Sequence, residues 1–219
     1  ISDAVVIVDE AHNLLEYARE IRSVSLSTRL LDLVAKEANE QGDPEIAEGV
    51  SSLDMVEACR RRLREALEEF LIEDDGLIPP PFLEEGLMSA FTTTTKGLLN
   101  MARSLMAYGE MIREEKRKSG RLPRSYLHSL GGFLQFWLEL DEECYVKLVV
   151  GGDNPAFEAY CMDPGLACRA LSECHASVHM SGTLRPLNEY RDSTGLPKGT
   201  PLMTLPSPFP PENRKVFYL

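Results

Sequence analysis

Three residues near the start of the chain have the types and spacing to do chemistry. Asp9 and Glu10 follow the apolar run Ala4-Val5-Val6-Ile7-Val8, and His12 comes two residues later, in the string AVVIVDEAHNL. Adjacent carboxylates at the end of a strand suit hydrolysis of a nucleoside triphosphate. That reaction needs a divalent cation on the β and γ phosphates and a water aligned with the γ phosphorus. Asp9 is the candidate magnesium ligand, direct or through water, because magnesium prefers hard oxygen donors. Glu10 is placed to orient and deprotonate the water. His12 can link this side to a second segment, Ser181-Gly182-Thr183, whose hydroxyls can exchange hydrogen bonds and whose glycine allows a tight backbone path. The bland alternatives are a helix-start acidic pair and an ordinary strand-to-loop turn.

These side chains must be positioned by the elements around them. The continuous β-branched run at 4–8 predicts a central parallel strand buried on both faces, with Asp9 at its carboxyl end, where open α/β sheets place ligands. Residues 13–33 read as helix broken near 23–27. Gly42-Asp43-Pro44 is a turn. Ser51 with Asp54 resembles a capping pair ahead of the stripe Leu53, Val56, Leu63, Leu67 and Phe70, whose arginines fall mostly on the other face. A helical zone is expected over 82–117, an exposed turn over 118–123, and a further stripe from Leu127 to Leu138 that makes Trp137 a core residue. Gly131-Gly132 would permit close packing there. Residues 144–150 and 157–161 read as strands, 164–171 as a short helix, and 176–180 as a parallel strand leading into Ser181. Four prolines between 206 and 211 suggest a linker before a strand at 215–219.

Composition narrows the class. The 219 residues are 43% hydrophobic, and 23 Lys and Arg against 35 Asp and Glu give a net charge of −12. No stretch approaches the roughly 20 apolar residues that cross a bilayer. The opening residues do not resemble a secretory signal, so no membrane partner is expected, and a cytoplasmic or nuclear location is. The acidic total opposes indiscriminate nucleic-acid binding. Positive charge is nonetheless concentrated at 60–64 and along 113–124, making Arg113, Lys116, Arg117, Lys118, Arg121 and Arg124 candidate contacts to a DNA backbone. The five cysteines form no CxxC pair, so neither a zinc ribbon nor a redox dithiol is indicated. The residues 181–183 lack a credible base for covalent hydrolysis.

Taken together, VVIVDEAHNL, VHMSGTLRPL, CMDPGLACRAL and SPFPPENRKVFYL resemble segments of the XPD/DinG-type superfamily-two iron–sulfur DNA helicases. The matches cover most of residues 1–18 and 157–219. The resemblance implies an α/β fold, part of a RecA-like P-loop NTPase helicase domain with a large, mainly helical Arch insertion. It divides the chain into motor domain one (1–24), the Arch (25–152), a return to motor domain one (153–205), and a linker with the start of motor domain two (206–219).

It also implies an ATP-dependent 5′ to 3′ helicase acting on single-stranded DNA and duplex junctions, with a role in DNA repair. Asp9 and Glu10 would serve magnesium and water, His12 would make the contact between motifs, and Ser181, Gly182 and Thr183 would couple the nucleotide to movement. ATP, Mg²⁺ and a 4Fe–4S cluster are the implied cofactors. The phosphate-binding loop and the cluster cysteines of such proteins precede the DEAH box and are not in this sequence, so none of its five cysteines is a cluster ligand. A catalytically incomplete helicase piece is therefore expected. The rival expectation is an Arch module that docks a protein or guides DNA without catalysis of its own.

Overall fold

The computed structural model describes residues 2–208, and the expectations for Pro210, Pro211 and the strand at 215–219 lie outside that range. The chain forms two compact units, one taking residues up to Leu15 and from Gly165 onward, the other Glu16–Pro164. The pattern is a mixed α/β fold with a helical insertion. Among the described residues, no helix is long and apolar enough to cross a membrane.

In the first unit, β1 (Val5–Val8) pairs in parallel with β8 (Ala176–His179), in a register that sets Val5 opposite Ala176 and Val8 opposite His179. A short 3-10 turn, Ala11–Asn13, follows β1. Helices α7 (Gly165–Ser172) and α8 (Leu187–Ser193) flank β8 in sequence. The expected parallel strands form, but their burial differs from the expectation. Val5 is 62% and Ile7 65% exposed, so β1 is not buried on both faces. Within the described residues β1 hydrogen-bonds to β8 alone, and the face that Val5 and Ile7 share is largely exposed.

The second unit holds an antiparallel sheet in the order β2 (Val24–Ser27), β7 (Ala156–Cys161), β6 (Tyr145–Val150), β5 (Asp75–Leu77). The break expected at 23–27 is thus a strand, set between α1 (Leu14–Arg22) and α2 (Thr28–Glu40). Residues 156–161, assigned from sequence to the returning motor segment, pair instead with β2 and β6. The two compact units divide at 15/16 and 164/165. A small hairpin, β3 (Glu45–Ala47) and β4 (Val50–Ser51), leads into α3 (Ser52–Phe70).

Helix α3 starts at a reciprocal capping box. Ser51 Oγ accepts from Asp54 N at 3.2 Å and Asp54 Oδ2 accepts from Ser51 N at 2.8 Å, which shows that Asp can fill the usual Glu role. Arg62 is not on the outer face. Its guanidinium lies 3.7 Å from the Phe82 ring centroid and donates to Phe82 O at 2.8 Å. The zone 82–117 is two helices, α4 (Phe82–Phe91) and α5 (Thr95–Lys118). Thr92 takes a left-handed conformation (φ 48°), and Thr94 caps α5 by accepting from Gly97 N.

Helix α6 (Tyr126–Glu139) packs along α5. A Cβ on Gly131 would lie 2.5 Å from Ala102 O, and one on Gly109 would lie 2.5 Å from His128 N. Small residues at these two points let the helix backbones approach. Gly132 has no neighbour within 4 Å of such a Cβ, so only the first glycine of the pair serves packing. Trp137 is 1% exposed, between Phe133 (5.2 Å) and Phe157 (5.7 Å), joining α6 to the sheet. With Leu26, Leu31, Val34, Leu63 and Leu105 it centres one continuous core, each such side chain contributing about 1.5–3 kcal/mol on burial.

Candidate functional site

Asp9 leaves β1 at its carboxyl end, and Glu10 then turns the chain through a left-handed conformation (φ 47°, ψ 42°). This is a disfavoured region for a residue with a Cβ, costing about 1–2 kcal/mol. The Glu10 N–H donates to Asp9 Oδ1 at 2.8 Å, which helps to hold the turn. Two backbone bonds then tie the segment to the end of β8: Met180 N donates to Val8 O at 2.9 Å, and Ala11 N to Met180 O at 3.0 Å. The ladder thus continues past the strands and brings residues 9–12 beside 180–183. Their spacing in the chain gave no hint of the Glu10 backbone conformation.

Four of the six residues marked from sequence meet at one hydroxyl. Ser181 Oγ lies 2.8 Å from His12 Nδ1, 3.3 Å from Glu10 Oε2, 3.2 Å from Thr183 N and 3.4 Å from Thr183 Oγ1. His12 Nδ1 is also 3.3 Å from Glu10 Oε2. A hydroxyl has one proton to give and two lone pairs to share. With Ser181 donating to Glu10 and accepting from Thr183 N–H, the remaining lone pair takes His12 Nδ1–H.

The site is open to solvent, with the Glu10 side chain 67% and the His12 side chain 40% exposed. Glu10 Oε1 carries no hydrogen bond among the described residues, its partners lying on Oε2. Gly182 departs from its expected part. A Cβ there meets nothing within 4 Å and its φ is not left-handed, so the backbone path does not require glycine.

Among the described residues, no group of three or more His, Cys, Asp or Glu is arranged to hold a metal. Magnesium bound with a nucleotide keeps several waters and takes one or two carboxylates beside the phosphates, and Asp9 is an exposed carboxylate at the end of β1. Cys59 and Cys161 are fully buried in α3 and β7, and burial pushes the Cys59 thiol up to about 12.

The basic segment is largely engaged within its own unit. Arg113 donates to Glu110 at 2.8 Å, Arg117 pairs with Glu114, and Lys118 lies 3.8 Å from Glu114. Arg121 donates to Ser119 Oγ at 3.0 Å. Arg121 and Arg124 are exposed and carry no ion pair among the described residues.

Lys116 reaches Glu37 Oε1 at 3.1 Å. Glu37, only 4% exposed, also accepts on Oε2 from Ser125 Oγ (2.7 Å), Tyr126 N (2.6 Å) and Leu127 N (2.9 Å). One carboxylate on α2 therefore closes the N-terminus of α6 and anchors the end of α5. Sequence reasoning missed it, because nothing in the sequence around Glu37 separates it from an ordinary surface glutamate.

Two family models match the chain. Residues 34–218 match the helical and beta-bridge domain, and residues 1–31 match the DEAD_2 family. Both families are associated with superfamily-two helicases of DNA and RNA.

Proposed function

We propose that this chain, which belongs to the helical and beta-bridge domain family, carries the DEAH and coupling segments of an ATP-dependent DNA helicase of the XPD/DinG type. The observation that carries the reading is the network at Ser181, which joins the carboxylate after β1 to the loop after β8 through His12. A carboxylate that senses water and phosphate is thereby bonded to a loop that can pass its state onward. Asp9 would hold the magnesium of ATP, which neutralises charge on the phosphates. Glu10 would orient and deprotonate water, and Ser181 and Thr183 would report on the nucleotide. Gly182 belongs to the same loop.

In this reading the insertion of mainly helical structure guides single-stranded DNA, with Arg121 and Arg124 as the basic residues most available to phosphate. The 219 residues contain no Gly-rich phosphate loop, so the chain alone is proposed to turn over no ATP. An iron–sulfur cluster in the complete helicase would draw its ligands from cysteines other than these five.

The test is strand separation by the full-length polypeptide that carries this segment, on duplexes with a single 5′ or a single 3′ tail. ATP-dependent opening of the 5′-tailed duplex alone is the expected result. Opening of the 3′-tailed duplex, or of RNA duplexes in preference to DNA, would reject the assignment.

A further inference from the structure

The loop carrying Ser181 and Thr183 leaves β8 at His179 and enters α8 at Leu187. Its two ends are joined by one side-chain hydrogen bond, His179 Nδ1 to Tyr190 Oη at 2.6 Å, with the rings edge-on at 5.7 Å. Tyr190 is buried, and Thr194, one turn further on, donates its hydroxyl to Tyr190 O at 2.8 Å. Burial, with the Cys168 thiol nearby, pushes the Tyr190 phenol up to about 12. The phenol therefore keeps its proton, the imidazole tautomer sets which partner donates, and Nε2 is the ring nitrogen left over. That nitrogen is buried and has no partner among the described residues.

We propose that His179 and Tyr190 form a clamp that holds the 180–186 loop in the conformation presenting Ser181 to His12 and Glu10. Within the loop, Thr183 N bonds to Ser181 Oγ and Arg185 N to Thr183 O, contacts too local to fix where the loop stands. Tying residue 179 to residue 190 shortens the span free to rearrange and lowers the entropy lost in ordering it. His179 is a positioning residue and touches neither Glu10 nor His12 in the network described above. The clamp rests on the reading of Ser181 as a coupling residue for its functional meaning, though not for its existence.

The clamp is also proton-sensitive. A second proton on the ring would put a cation where burial disfavours it. The titratable groups against His179 are Tyr190 from α8 and, beside that phenol, Cys168 from α7, while β1 brings Val8. Burial already holds the imidazole below its ordinary 6.5.

Amide hydrogen exchange at Thr183 and Arg185 of the chain, corrected for intrinsic rates and followed by NMR from about pH 5 to 8, tests the clamp. In the wild type, protection should fall as His179 takes up its proton. Tyr190→Phe, which keeps the ring and removes the hydroxyl, should raise exchange at both amides about fivefold across the range, leaving β1 and α8 amides unchanged. His179→Asn supplies an oxygen acceptor in place of Nδ1 and should retain protection while losing the pH response. Unchanged exchange in Tyr190→Phe, loss spread evenly through β1 and α8, or a persisting pH response in His179→Asn would each overturn the clamp. None of these outcomes bears on Glu10, whose part is read from ATP turnover, so the two proposals fail separately.

Discussion

Replacing Glu37 with alanine should be among the most damaging single changes in the helical unit. The carboxylate serves three donors at the start of α6, the Ser125 hydroxyl and the Tyr126 and Leu127 amides, and balances Lys116. Each buried donor left without an acceptor costs about 1–3 kcal/mol. Lys116 is 27% exposed and can turn to water, so its share is small. The negative charge also lies at a helix N-terminus, which adds about 0.3–1 kcal/mol. The sum for Glu37→Ala is roughly 2–7 kcal/mol after the Ser125 hydroxyl is allowed to rotate toward another acceptor. Glu37→Gln keeps one oxygen for the same three donors and should lose only about 1 kcal/mol.

Urea unfolding reads both values, with the single tryptophan, Trp137, reporting from within α6 itself. Native-state exchange should show the Tyr126 and Leu127 amides losing most protection. A Glu37→Ala protein within about 1 kcal/mol of wild type would refute the reasoning, since it would mean that the three donors find water as readily as the carboxylate.

The paired glycines of α6 should respond with opposite signs. Gly131→Ala presses on Ala102 O and should destabilise by about 1–3 kcal/mol, whereas Gly132→Ala enters open space and should stabilise by about 0.5–1 kcal/mol. Thermal melts of both variants check this. Glu158 on β7 has its carboxyl pushed above 4.5 by burial and then by Asp75. The unfolded chain therefore ionises it more readily, and a cost grows as pH rises from the unfolded value through the folded one. Glu158→Gln should raise the melting temperature at neutral pH and leave it unchanged below the unfolded value. Cys59, buried and held up to about 12, should react with a thiol reagent only as fast as the helical unit opens, its rate tracking urea concentration.

Local rules carried much of the fold. The capping box at Ser51 and Asp54, the α6 stripe that buries Trp137, and the strands at 145–150 and 176–179 follow from side-chain type and period alone. The departures have physical causes. Asp75-Gly76-Leu77 looks like a turn because its strand character comes from pairing with β6, seventy residues away. The helix break at Thr92 is invisible in apolar periodicity, being set by a left-handed residue and a threonine cap. Val5 and Ile7 have the composition of doubly buried strand residues, yet burial depends on neighbouring layers that composition does not report. At the site, the DEAH string and the serine loop marked residues that the fold brings side by side. The Glu10 backbone conformation, the Ser181 hub and the His179–Tyr190 bond are tertiary facts.

The proposed helicase chemistry turns on Glu10, and ATP turnover by the full-length polypeptide carrying this segment addresses it most directly. Turnover should be stimulated by single-stranded DNA and fall by about 10²–10⁴-fold in Glu10→Gln, as expected when a general base is lost. Undiminished, DNA-stimulated turnover in Glu10→Gln would contradict the assignment of the water-activating carboxylate.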